Sequence, residues 1–131
     1  MSFIYIASPY THPDPRIRQD RYLQASYYVV QLLSQRKFPY SPIVANHHLA
    51  MEFGLKHKAV DWMAYNFAML SSAKELHVLA LDGWNESLGV TAEINFWRAA
   101  RQGEPFHLIE TRHQSSRGRE SYPCAPALKG G

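Results

Sequence analysis

The stretch Leu76-His77-Val78-Leu79-Ala80-Leu81-Asp82-Gly83-Trp84-Asn85-Glu86-Ser87-Leu88-Gly89 decides the fold. Leu76 to Leu81 is a largely apolar run centred on Val78, the pattern of a strand covered on both faces. Asp82 to Ser87 is a turn-rich loop. Leu88 to Gln102 then carries a helical pattern, closed by Gly103 and Pro105. A strand that feeds a helix through a short polar loop is one half of a parallel-sheet unit, so the rest of the chain should repeat it.

It does on both sides. Phe3 to Ala7 is apolar at every position and ends at Ser8-Pro9, a first buried strand. Thr11 to Pro15 holds two prolines and reads as a loop. Arg16 to Arg36 contains neither Gly nor Pro and reads as a helix, with Ile17, Tyr22 or Leu23, Val29 or Val30, and Leu33 as its expected buried face. Phe38 to Ala45 reads as a short irregular strand, after which Asn46 can cap a helix through Leu55. Lys58 to Ala73 reads as another helix burying Val60, Met63, Phe67 and Leu70, and Phe106 to Ile109 as the last strand. The alternation predicts an α/β fold: one flavodoxin- or Rossmann-like parallel sheet of four to five strands, helices on both faces, right-handed crossovers. Ligands of such folds bind outside the carboxyl ends of the strands. Three segments meet there: Ser8 to Arg18, Pro42 to Leu49, and Asp82 to Glu93.

Composition bounds the function. The 131 residues are one domain's worth, 46% hydrophobic and 19% charged, with a net charge of +3. Residues 1–111 hold ten basic and ten acidic side chains; residues 112–131 hold four and one. The basic excess is thus confined to a polar tail, a solvated terminus rather than a nucleic-acid-binding arm. The expected organisation is a domain at 1–111 and a tail at 112–131 that packs on it or on a neighbouring subunit. A single cysteine, Cys124, excludes an intrachain disulfide and any CxxC site. With no signal peptide and no apolar run near 18 residues, the expected setting is cytoplasmic, away from membranes. No dinucleotide, P-loop or nucleophile-elbow motif is present.

The candidate chemistry clusters after the strands. Ser87 and Gly89 open a helix, where unpaired N–H groups favour an anion and glycine admits close approach. Glu93 lies about one turn in. It either complements the helix dipole at the surface or faces the crevice, ionised, as a nucleophile or stabiliser of a cation-like sugar carbon. Tyr5 is either a core tyrosine or the group that orients Glu93. Asp61 is a helix-start acid or a proton exchanger for a leaving group. Arg16, Arg18 and Arg21 can fork onto a phosphate or stay on a helix surface. His47 and His48 point about 100° apart on a helix, which suits ligand contact better than metal binding; His48 and Glu52 lack a third local ligand.

Tyr5-Ile6-Ala7-Ser8-Pro9-Tyr10 and Ser87-Leu88-Gly89-Val90-Thr91-Ala92-Glu93, in this order and spacing, resemble the Y-x-A-[SG]-P-[FY] and S-x-G-x-x-x-E stretches of the nucleoside 2-deoxyribosyltransferase superfamily. The chain is most similar there to small bacterial and phage members of unassigned function, and the resemblance spans Phe3 to Ile109. It implies that Glu93 attacks the anomeric carbon of a nucleoside and that Tyr5 holds it. It further implies that Asp61 serves the leaving base and that Ser8 and Pro9 border the sugar. The transferases proper carry an aspartate where this chain has Ser87. A serine there resembles the 2′-deoxynucleoside 5′-monophosphate N-hydrolase branch, in which it binds phosphate. The first loop, Thr11 to Arg16, lacks that branch's Gly- and Arg-rich composition. The resemblance thus implies N-glycosidic cleavage or transfer on a nucleoside or nucleotide, with Ser87 and Gly89 as further substrate contacts; Arg16 and His47 are expected beside them from their positions next to the crevice segments. It implies no cofactor and no metal, and the charge distribution predicts no nucleic-acid partner. It also implies a homodimer or larger homo-oligomer, in which a tail residue such as Tyr122 completes a neighbour's site. The competing reading is a catalytically silent nucleotide sensor on the same fold.

Overall fold

The computed structural model describes residues 2–53 and 61–111. Four strands, β1 (Ile4–Ala7), β2 (Pro39–Tyr40), β3 (Glu75–Leu79) and β4 (His107–Ile109), form one parallel sheet in the order β2-β1-β3-β4. Helices α1 (Pro15–Ser34), α2 (Pro42–Glu52), α3 (Trp62–Ser71) and α4 (Leu88–Ala100) connect them. This is the expected α/β architecture with four strands.

Strand periodicity divides the core in two. Tyr5, Ala7, Leu76 and Val78 point to one face and pack with Leu70 of α3 and Val90 and Trp97 of α4. Ile4, Ile6 and Leu79 point to the other and pack with Ala25, Tyr28 and Leu32 of α1. Both faces are covered, which is why the strands read as near-continuous apolar runs. Because β1 leads outward to β2 and the chain then returns to β3 on its other side, the strand order reverses between β1 and β3. That switch point opens a crevice at their carboxyl ends.

Several local expectations need correction. The first helix turns a different stripe inward: Gln24, Ala25, Tyr28 and Leu32 are buried, whereas Ile17 and Leu33 are exposed. Residues 22–33 are apolar around most of the helix, so spacing alone does not single out a face. The second strand shrinks to two residues because Ser41 caps α2 and Pro42 supplies its first turn; Asn46 lies inside that helix. The same Asx/Ser-then-Pro device starts α1, where Asp14 caps and Pro15 follows. Asp61 caps α3, with Oδ1 accepting from the Ala64 N–H at 2.9 Å. The expected helical start at Lys58 to Val60 and the tail at 112–131, with Tyr122 and Cys124, lie outside the described residues. Among the described residues, no helix is long and apolar enough to cross a membrane.

Candidate functional site

The crevice encloses about 1020 Å³, enough for a nucleotide-sized molecule. β1 delivers Ser8 and Tyr10 to it, α2 delivers Asn46 and His47, and α3 delivers Asp61 and Asn66. The β3–α4 connection and α4 deliver Gly83, Ser87, Gly89 and Glu93.

Glu93 is the buried carboxyl group on the crevice wall. It lies one and a half turns into α4, on the stripe with Val90 and Trp97, and is only 6% exposed. Tyr5, fully buried on β1, donates its hydroxyl proton to Glu93 Oε2 in a buried hydrogen bond. Burial pushes the Glu93 pKa up to about 7, and the Tyr5 hydrogen bond opposes part of that rise. This corrects the expectation of a dipole-stabilised anion: the macrodipole fades within the first turn, and desolvation outweighs it. Burial and the adjacent carboxylate raise the Tyr5 pKa in turn, so Tyr5 stays protonated and a donor. A carboxyl group poised near neutrality in a crevice is a candidate acid, base or nucleophile.

The start of α4 forms a second feature. Ser87 is its N-cap, with Oγ accepting from the Val90 N–H at 3.2 Å. Leu88 and Gly89 are the first two helical residues, whose N–H groups have no intrahelical partner. A Cβ built on Gly89 would meet only Ser87 Oγ, 3.9 Å away, so internal packing does not require glycine there. Gly83 differs. Its φ is +87°, and a Cβ would stand 2.9 Å from the Arg21 guanidinium. Arg21 ties the two crevice loops together, donating to Thr11 O at 3.0 Å and Asp82 O at 2.9 Å.

The remaining expected residues divide. His47 lines the crevice, stacked on Tyr22 with centroids 4.2 Å apart and bonded through Nδ1 to the Tyr10 hydroxyl at 2.6 Å. Burial, with His48 and Arg18 nearby, lowers its pKa and favours neutral imidazole. Asp61 stands on the crevice wall, exposed, with one oxygen committed to its cap. Ser8 also lines the wall; it is 8% exposed, and its Oγ has no hydrogen-bond partner among the described residues. Pro9 is fully buried and does not line the crevice. Arg16 is turned away from the crevice, its side chain 90% exposed and paired with Asp14 at 3.1 Å. Arg21 is the crevice arginine instead; it falls on the α1 stripe of Gln24, Ala25 and Tyr28, so the correct helical phase would have selected it. Asn66, whose Oδ1 is buried without a partner among the described residues, was not legible from any motif.

Residues 2–110 match the model of a family described as a domain of unknown function, DUF1937, and the chain belongs to that family. No curated protein matches the chain.

Proposed function

We propose that this DUF1937 domain cleaves or transfers the N-glycosidic bond of a nucleoside or nucleoside 5′-monophosphate, with Glu93 as nucleophile. The observation that carries the reading is the buried Glu93 carboxylate, gripped by the Tyr5 hydroxyl on the wall of the switch-point crevice. An ionised carboxylate in a low-dielectric wall is strongly attractive to an oxocarbenium-like sugar carbon, and can close on it to form a glycosyl–enzyme. The bond formed is Glu93 Oε to C1′, and the bond broken is C1′ to the base nitrogen. The base takes a proton from Asp61 or from water; water or a second base then releases the sugar. Tyr5 is a positioning residue, since it holds one carboxylate oxygen and leaves the other to the sugar.

Support for a phosphate comes from the α4 start. Ser87, the free helical N–H groups and the open space at Gly89 suit one phosphate rather than a polyanion. The resemblance to the deoxyribosyltransferase superfamily points the same way, through Tyr5, Ser87 and Glu93. Unpartnered Ser8 Oγ and Asn66 Oδ1 supply further polar contacts to a ligand.

The test is incubation with a panel of nucleosides and 5′-monophosphates, with released base measured by chromatography. The expected result is base release by the wild-type protein, faster from a monophosphate than from its nucleoside, and none from Glu93→Gln. A nucleotide that binds and survives long incubation intact would make the domain a sensor instead.

A further inference from the structure

A cluster unconnected with the crevice lies at the other end of the sheet. Glu75 and His77 alternate on β3 and project to the α1 face. His107 is the β4 residue in register with His77. His77 Nε2 is 2.8 Å from Glu75 Oε1, and His107 Nε2 is 3.8 Å from the same oxygen. One ligating atom from each residue lies within 4.8 Å of the others. Ligand atoms about 2.0–2.1 Å from a tetrahedral zinc stand about 3.3 Å apart, so small rotamer adjustments bring these three to one ion.

We infer that Glu75, His77 and His107 form a site for a divalent transition metal that staples edge strand β4 to β3. Two imidazoles and one carboxylate favour Zn²⁺, Co²⁺ or Ni²⁺ over Mg²⁺ or Ca²⁺, which prefer all-oxygen shells. Three protein ligands leave the fourth position to water, and His107, whose side chain is 60% exposed, provides the entry path. Tyr28 of α1 places its hydroxyl 2.7 Å from His77 Nδ1. With metal on Nε2, the imidazole proton resides on Nδ1 and is donated to Tyr28, the usual way a ligating histidine is oriented. Lys37 and Lys74 lie within electrostatic reach of His77 and Glu75, respectively, and oppose a cation, which weakens the affinity. The role is structural. The cluster faces α1, on the sheet face opposite Tyr5 and Glu93, and β4 is a three-residue edge strand with one neighbour.

The experiment is Zn²⁺ titration of the full chain against a chromophoric chelator, with Cys124→Ser in every protein to remove the thiol. Thermal melts are run with and without Zn²⁺. One equivalent of Zn²⁺ should bind and raise the melting temperature. His107→Ala and Glu75→Gln should each weaken binding at least tenfold and abolish the melting shift, while both remain folded by circular dichroism. Tyr28→Phe should weaken binding about tenfold, because His77 loses the hydroxyl that orients its ring. His48→Ala should bind as the parent does. The inference is overturned if the parent binds no Zn²⁺ at 100-fold molar excess, or if His107→Ala binds as tightly as the parent.

Discussion

Replacing Glu93 by Gln should stabilise the protein, and by an amount that depends on pH. The carboxyl group has an ordinary pKa of 4.5, which burial raises to about 7 in the folded state. Below pH 4.5 the group is protonated in both folded and unfolded chains and contributes no difference. Between 4.5 and about 7 the unfolded chain releases the proton while the folded chain keeps it, so wild-type stability falls as pH rises. Above about 7 the full cost of the buried anion is present, about 3 kcal/mol at about 1.4 kcal/mol per pH unit. Glutamine keeps the shape and an acceptor for Tyr5 but never ionises. Its advantage should therefore be under about 1 kcal/mol at pH 5 and about 3 kcal/mol at pH 8. Any constant contribution of the amide is the same at both pH values, and every other carboxylate cancels between the two proteins. The assay is urea unfolding of both proteins at pH 5, 6, 7 and 8. A gap that stays constant with pH, or widens as pH falls, would refute the assignment of Glu93 as a buried carboxyl group titrating near neutrality.

In catalysis the same titration runs the other way. If Glu93 is the nucleophile, kcat/KM rises with pH, reaches a plateau above about 7, and at pH 5 is about one-hundredth of the plateau; a general acid would give the mirror-image limb. Tyr5→Phe removes the bond that favours the ionised form, so the limb should move to higher pH, with activity partly recovered at pH 9. Gly89→Ala should leave folding intact or strengthen it by up to about 1 kcal/mol, because the Cβ meets open space. It should weaken nucleotide binding, as measured by calorimetry, and unchanged affinity would remove the α4 start from the ligand site. Gly83→Ala is expected to cost about 1–3 kcal/mol in chemical denaturation, through its positive φ and the collision with Arg21.

The fold was legible because buried parallel strands announce themselves as apolar runs between helical segments, and β1, β3 and α4 fall where those runs predict. The capping residues were legible in part. Ser41-Pro42 is a clear helix start, yet the apolar residues after it look equally like a strand, and tertiary packing decides between the two. The α1 phase was hidden because Tyr, Leu and Val surround the helix, leaving Ala25 and Gln24 to mark its inner face. Of the candidate site, the motif resemblance singles out Tyr5, Ser87 and Glu93, and the structure places Ser87 and Glu93 on the crevice with Tyr5 bonded to Glu93. Arg16 is nearest the first loop in sequence, yet Arg21 lines the crevice, because proximity in sequence to a loop is a poor guide on a helix. There a five-residue step changes both height and face. The upward Glu93 pKa is hidden from the sequence for a related reason: helix position is visible there, whereas desolvation depends on everything that packs around the group. The Glu75–His77–His107 cluster is invisible locally, since strand pairing joins residues thirty positions apart.

The central claim is that Glu93 bonds covalently to the sugar. It is tested most directly by incubating the protein with a 2′-fluoro-arabinosyl nucleoside or nucleotide, whose fluorine slows release of the glycosyl–enzyme, and then mapping the adduct by peptide mass spectrometry. One sugar per chain is expected on Glu93, formed with stoichiometric loss of base and absent from Glu93→Gln. An adduct on another residue, or base release by Glu93→Gln at the wild-type rate, would contradict it.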